Sequence, residues 1–357
     1  MKLVSFFIFF IFLSCNYSPF NHNNKIDESD SIEYISELID NDITNDSLYL
    51  ERAYLNIKIN RIQSAIIDLE KSLILDSNQG KIHYLIADLL LNQLKESNKN
   101  NLKYKDFLNR SKYHFNQALK YNIDSSKSLS KLGELSLYHG KVSDDDNLIA
   151  RSISLFIESL SINELDYQSY NLLGYAYNQL GQIDSALYCF NRSIEINPTN
   201  EEGYLQIGNL FYSNMDSNAA FYYKKVLSIN KDNRLALYNL GLLYHSIGEY
   251  SKSQNFYHKI IDLEISDNLY EDACYNLGIM FLEDLKDYNN AINYFIEVIR
   301  VNENHFLSLY KIAISFQSLG DVGNAENYYR RTLFVNPNYI PAKEKLEKLL
   351  LDNEKYK

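Results

Sequence analysis

The chain has 357 residues, enough for two or three ordinary domains or for one long array of small units. With only 12 Gly and 4 Pro it lacks the punctuation of a strand-rich fold, and its 31 Tyr belong to a general richness in Asn, Ile, Lys and Tyr. The 35 basic and 46 acidic residues leave a net charge of −11, which argues against a general nucleic-acid binder, whose affinity rests on neutralising phosphates.

Residues 1–15 read MKLVSFFIFFIFLSC. Lys2 supplies a positive end, and Leu3 to Leu13 form an apolar run broken only by Ser5. That run is well short of the about 20 residues that span a bilayer as a helix. It has the length of a signal-peptide hydrophobic region. Leu13-Ser14-Cys15 resembles the lipobox of bacterial lipoproteins, with Phe12 where that motif usually carries Leu. The resemblance implies cleavage before Cys15, lipidation of its thiol and a firm membrane anchor, since each buried CH₂ adds about 0.8 kcal/mol. Residues 16–30 are polar, include Pro19 and show no apolar period, which predicts a flexible tether. Asn16 stands where an Asp would mark inner-membrane retention, so the resemblance places the chain on the outer membrane, facing the periplasm. A capping helix is expected within 31–45.

Two later segments are copies of one pattern. Tyr170 to Pro198 and Leu309 to Pro337 align without a gap. Leu180-Gly181 meets Leu319-Gly320, Ala186 meets Ala325, Phe190 meets Tyr329, and Pro198 meets Pro337. The pattern resembles the tetratricopeptide repeat, a 34-residue pair of antiparallel helices. Tyr170, Leu173, Gly174, Tyr177, Ala186, Phe190 and Pro198 carry the match, with Ser193 in place of the last alanine. Small residues stand where the two helices approach most closely, and large ones fill the space at i, i+3, i+4 and i+7. Gly181 should end the first helix and Pro198 follow the second.

The register extends along the chain. An eroded stretch over 46–166 holds three units, marked by Ala53 with Ala65, Ala87 with Ala118, and Gly133 with Phe156. In the first, Asn56 occupies an aromatic position. Measured against the 34-residue unit, the second carries about 12 extra residues and the third about seven, around Ser143–Asn147. Well-formed units fill 167–339, with glycines at 174, 208, 241 and 278 that are 34, 33 and 37 residues apart, and Ala313 in the glycine's place in the eighth. The Gly208 unit is one residue short and the Gly278 unit one residue long. A polar-faced helix should close the end at 340–357. The expected fold is all-α, a superhelical solenoid of about eight helix-turn-helix repeats with a C-terminal capping helix.

Chemistry-bearing clusters are scarce. The seven His are scattered without metal-ligand spacing, and Cys189 and Cys274, three repeats apart, read as buried apolar residues. Asp144-Asp145-Asp146-Asn147 hints at a calcium loop but lacks the glycine and the bidentate Glu, and reads as a solvated loop before a helix. Lys95, Lys99, Lys103, Lys105, Arg110 and Lys112 make a basic segment at the insertion in the second unit, a solvated loop or a contact for anionic headgroups. No enzyme activity and no cofactor are expected.

The resemblance implies that first helices line a concave groove. By register, Tyr175, Asn178, Gln206, Asn209, Tyr212, Tyr238, Asn239, Tyr275, Asn276, Tyr310 and Gln317 face into it. An Asn amide can donate and accept at once, and Tyr adds rigid apolar contact with a polar tip. The expected partner is a protein or peptide segment in that groove, beside the membrane reached through Cys15. The expected role is a scaffold in assembly of an envelope complex. Alternatives are a structural subunit of a pilus or outer-membrane assembly machine, or an accessory to an enzyme of cell-wall or glycan turnover.

Overall fold

A computed structural model describes residues 28–97, 101–214, 216 and 218–355. Cys15, the signal region and most of the expected tether lie outside the described residues. The described part is helical throughout and forms two compact units, one ending at Asp124 and one starting at Ser125.

In the first unit the expected cap is α1 (Glu28–Asn41), which packs Ile35 and Ile39 against Tyr49. Two helix pairs follow: α2 (Asp46–Lys58) with α3 (Ile62–Leu75), and α4 (Gly80–Glu96) with α5 (Leu102–Lys120). Asn56, at the aromatic position, is buried, and the site is rebuilt around charge. Asp68 accepts from Arg52 Nη2 at 2.7 Å, from Arg52 Nε at 3.0 Å and from Asn56 Nδ2 at 3.2 Å. The guanidinium also donates to Ser36 Oγ at 2.9 Å, so the buried carboxylate is fully engaged. In the second pair most of the insertion is not a loop. It lengthens α4 to 17 and α5 to 19 residues, where helix hydrogen bonds satisfy the added backbone.

The second unit holds six pairs. They are α6 (Ser125–Ser143) with α7 (Asp146–Ile162), α8 (Tyr167–Gln179) with α9 (Ile183–Ile196), and α10 (Glu201–Ser213) with α11 (Ala219–Ile229). Then come α12 (Arg234–Ser246) with α13 (Tyr250–Ile261), α14 (Asn268–Ile279) with α15 (Tyr288–Val301), and α16 (Phe306–Ser318) with α17 (Val322–Val335). The closing helix α18 (Ile340–Lys355) buries Ala342, Leu346 and Leu349 against α17 and α16 and exposes Lys343, Glu344, Lys345, Glu347 and Lys348.

The small residues sit where the register put them. A Cβ on Gly174 would stand 2.8 Å from the Phe190 ring, and one on Gly208 would stand 2.6 Å from that of Tyr223. The same contact recurs between Gly133 and Phe156, Gly241 and Tyr257, and Gly278 and Phe295. Serines in alanine positions are buried but not orphaned. Ser193 Oγ donates to the Tyr167 carbonyl at 2.8 Å and Ser253 Oγ to that of Gly241 at 2.7 Å, bonding the partner helix's backbone. Gly181 follows α8 at φ +71°, the left-handed turn that ends the helix.

Irregularities have local causes. The extra residues of the third pair lengthen α6 and α7, and Asp145 caps α7 by accepting from Asn147 N at 2.9 Å. The extra residue after Gly278 becomes a π-helical turn, Met280–Asp284, in which Leu285 N donates to Met280 O at 3.0 Å. The longer connection before α14 is held by Arg234, whose Nη2 donates to Asp267 Oδ1 at 2.7 Å. That guanidinium and two backbone amides hold the Asp267 carboxyl down at about 2.

Candidate functional site

First helices of neighbouring repeats touch directly, α6 with α8, α8 with α10 and α12 with α14, and Asn239 on α12 bonds Asn209 on α10, so these helices share an inner face of the second unit. Helical phase decides what each offers. On α12, Leu237, Leu240 and Gly241 are buried against other helices while Tyr238 and Asn239 stay half-buried on the open side. On α14, Cys274, Leu277 and Gly278 are buried and Tyr275 and Asn276 half-buried.

The inner-face amides are not separate. Asn209 Oδ1 accepts from Tyr223 Oη at 2.9 Å and from Asn239 Nδ2 at 2.9 Å. Asn276 Nδ2 donates to Tyr238 Oη at 3.1 Å, across one repeat boundary. Gln317 Oε1 accepts from Tyr329 Oη at 2.6 Å, and Gln206 Nε2 donates to Glu202 at 2.8 Å. Lys141 bonds the Tyr175 hydroxyl and lies 4.8 Å from its ring centre. Asn178 and Tyr212 are half-buried.

Tyr238, Tyr275 and Tyr310 hold the same register position in three consecutive repeats. Burial raises the hydroxyl pKa of all three. Tyr275 packs edge-on to Phe295 and His305, and Tyr310 edge-on to Tyr339. Tyr310 is 9% exposed, so it belongs more to the wall than to the opening that the sequence assigned it. The residues three before each tyrosine, Leu235, Asp272 and Leu307, share the face and were missed. Adding the i−3 position to the register would have found them.

Elsewhere, the structure joins what the sequence scattered. His83 and His114, on α4 and α5, are buried with their Nδ1 atoms 2.8 Å apart, and Tyr121 stacks on His83. Burial, His83 and Arg110 push His114 down to about 4, and burial lowers His83 as well. In the basic segment, Arg110 is taken by Glu70 at 2.7 Å and Asp106 at 3.0 Å, while Lys103 and Lys105 are exposed and Lys99 lies outside the described residues. Cys189 and Cys274 are buried free thiols, each pushed up to about 12 by burial. No group of three His, Cys, Asp or Glu among the described residues could hold a metal, and no described helix is long and apolar enough to cross a membrane.

The pattern of the TPR repeat matches residues 174–214, and that of the tetratricopeptide repeat matches 236–269 and 271–305. The chain carries tetratricopeptide repeats. It is 22% identical over 157 residues to anaphase-promoting complex subunit 3 of Schizosaccharomyces pombe, covering 44% of this chain and 23% of that one. It is 26% identical over 157 residues to the TPR repeat-containing protein MJ1428 of Methanocaldococcus jannaschii, covering 44% and 24%. The matches thus span about a quarter of the length of these relatives. Among solved structures, the human IFIT1 dimer with m7Gppp-AAAA aligns with TM-score 0.51 at 16% identity, covering 85% of this chain and 76% of that one. The chain folds as a helical solenoid of the tetratricopeptide kind.

Proposed function

We propose that this chain is a membrane-tethered scaffold of the bacterial cell envelope, which holds protein segments on the inner face of its repeats and so helps to assemble an envelope complex. The observation that carries this reading is the row of Tyr238, Tyr275 and Tyr310, flanked by Asn209, Asn239 and Asn276 on one side of the array. Aromatic rings and amides in register suit an extended chain, since rings give contact area at low entropic cost and amides meet main-chain groups. The fission-yeast relative is a complex subunit, which fits the same kind of role. Lys2, the apolar run and Cys15 support the envelope location.

Two measurements test the reading. Cys15→Ala should abolish incorporation of labelled fatty acid and leave a precursor or soluble product, and unchanged labelling removes the lipid anchor from the proposal. The pair Asn239→Ala with Asn276→Ala should fold normally and weaken the partner that co-purifies from solubilised membranes. With each bond contributing about 0.5–1.5 kcal/mol, the loss is roughly tenfold or more. Retention at wild-type affinity would move the site to another surface.

A further inference from the structure

Bonds within the array determine what its inner face has left to offer. Asn239 donates one of its two Nδ2 hydrogens to Asn209, and Asn276 one of its own to Tyr238. Asn209 Oδ1 already accepts twice. The groups left on α12 and α14 include three acceptors, Oδ1 of Asn239, Oδ1 of Asn276 and the carboxylate of Asp272, beside one remaining N–H on each amide. Asp272, Tyr275 and Asn276 share one helix face at i, i+3 and i+4.

Asp272 differs from the carboxylates around it. Glu271 accepts from Asn302 and pairs with His305, Glu283 pairs with Lys311, and Asp284 bonds His245 and Tyr250. Asp272 is exposed and has no hydrogen bond or ion pair among the described residues. Its carboxyl titrates above the ordinary range, raised by desolvation and by Glu271. Its charge also reaches Tyr238 on the neighbouring repeat.

A second observation lies beneath this stretch. Each second helix of the unit packs one aromatic against the first, and where that aromatic is Tyr its hydroxyl needs a partner. Tyr223 donates to Asn209 and Tyr329 to Gln317, both inner-face amides. Tyr257 is wholly buried, and its hydroxyl bonds no inner-face amide; it is left beside Ser253, whose own proton goes to the Gly241 carbonyl. The positions of Asn209 and Gln317 are held in its repeat by Leu242 and by His245, which is bonded to Asp284. The Tyr257 ring lies 6.0 Å from that of Tyr238, on the floor of the same stretch.

Building on the inner-face reading, we propose that Tyr238, Asn239, Asp272, Tyr275 and Asn276 receive an extended segment of a partner protein carrying a lysine or arginine. The cation sits on Asp272 between the Tyr238 and Tyr275 rings, where carboxylate and ring faces attract it together. Main-chain N–H groups of the segment donate to the free Oδ1 atoms of Asn239 and Asn276. A carbonyl of the segment takes the proton of Tyr257 when Tyr238 turns aside.

The test uses the full chain, purified in detergent, on an array of 12-residue synthetic peptides balanced in basic, acidic and neutral content. Bound peptides should be enriched in Lys or Arg, and Asp272→Asn should cost them about tenfold in affinity. Tyr257→Phe should weaken the same peptides severalfold with little change in the melting temperature, because Ser253 beside that hydroxyl is already satisfied by the Gly241 carbonyl. Bound peptides with no basic preference, indifferent to Asp272→Asn but weakened by Asn239→Ala with Asn276→Ala, overturn the cationic segment and leave the inner face as the site. Peptides indifferent to all of these variants, or no binding above background, remove both.

Discussion

Replacing Gly174 by leucine will lower the stability of the 125–357 unit by about 1–3 kcal/mol, and by more where neighbours cannot yield. The first added atom already meets the Phe190 ring at 2.8 and 2.9 Å and the Cys189 Cβ at 3.1 Å. Phe190 is wholly buried, so it can move only by displacing its own neighbours. Because repeats contact mainly their neighbours, hydrogen exchange should rise most over residues 167–240 and least near α18. Gly323 is the internal control. It lies on α17 with nothing closer than 3.9 Å to an added Cβ, so Gly323→Ala should stabilise by about 0.5–1 kcal/mol through helix propensity. Equal effects at the two positions would contradict the packing argument.

Acid will loosen the first unit. Both members of the His83–His114 pair are buried, and folding lowers their pKa, that of His114 to about 4 from an ordinary 6.5. Between those limits the unfolded chain binds protons that the folded one excludes. The stability of the neutral pair is thus complete above pH 6.5, declines as pH falls to about 4, and changes little further below. At about 1.36 kcal/mol per unit the His114 contribution alone approaches about 3 kcal/mol, with His83 acting in the same direction. The two imidazoles titrate as a coupled pair. Arg110, held by Glu70 and Asp106, adds like charge from α5 and disfavours the imidazolium further. Unfolding curves from pH 7 to 4 should show the loss, and His114→Leu should flatten it. An unchanged slope in that variant would assign the pH dependence elsewhere.

Repeat boundaries, the close glycine–aromatic contacts and the turn at Gly181 were legible because each follows from a short-range rule that recurs unit after unit. Positions such as Tyr238 and Asn276 could be placed on the open side by helical phase alone. What escaped were consequences of pairing at a distance. His83 and His114 are 31 residues apart and meet because α4 and α5 pack antiparallel, which sets the start of one beside the end of the other. Asn56 looked like a lost aromatic, and only the fold brings Arg52 and Asp68 beside it. Insertions read as loops because composition alone does not tell a polar loop from the exposed face of a lengthened helix. The groove amides looked independent, yet Asn239 and Asn276 each reach to the preceding repeat, and that decides which of their atoms remain for a ligand.

The π turn at Met280–Asp284 has a mechanical consequence. A single inserted residue would ordinarily be shed into a loop, where it ties nothing together. Here it places two carboxylates that reach in opposite directions along the array. Asp284 bonds back to His245 at 2.9 Å and Tyr250 at 3.0 Å, and Glu283 pairs forward with Lys311. Each exposed link is weak alone, about 0–1 kcal/mol, but the three act in parallel across two seams that apolar packing already closes. A pull along the chain therefore meets a stiffer segment from α12 to α16, and that segment contains the row of tyrosines. The irregularity works as a rivet between neighbouring repeats.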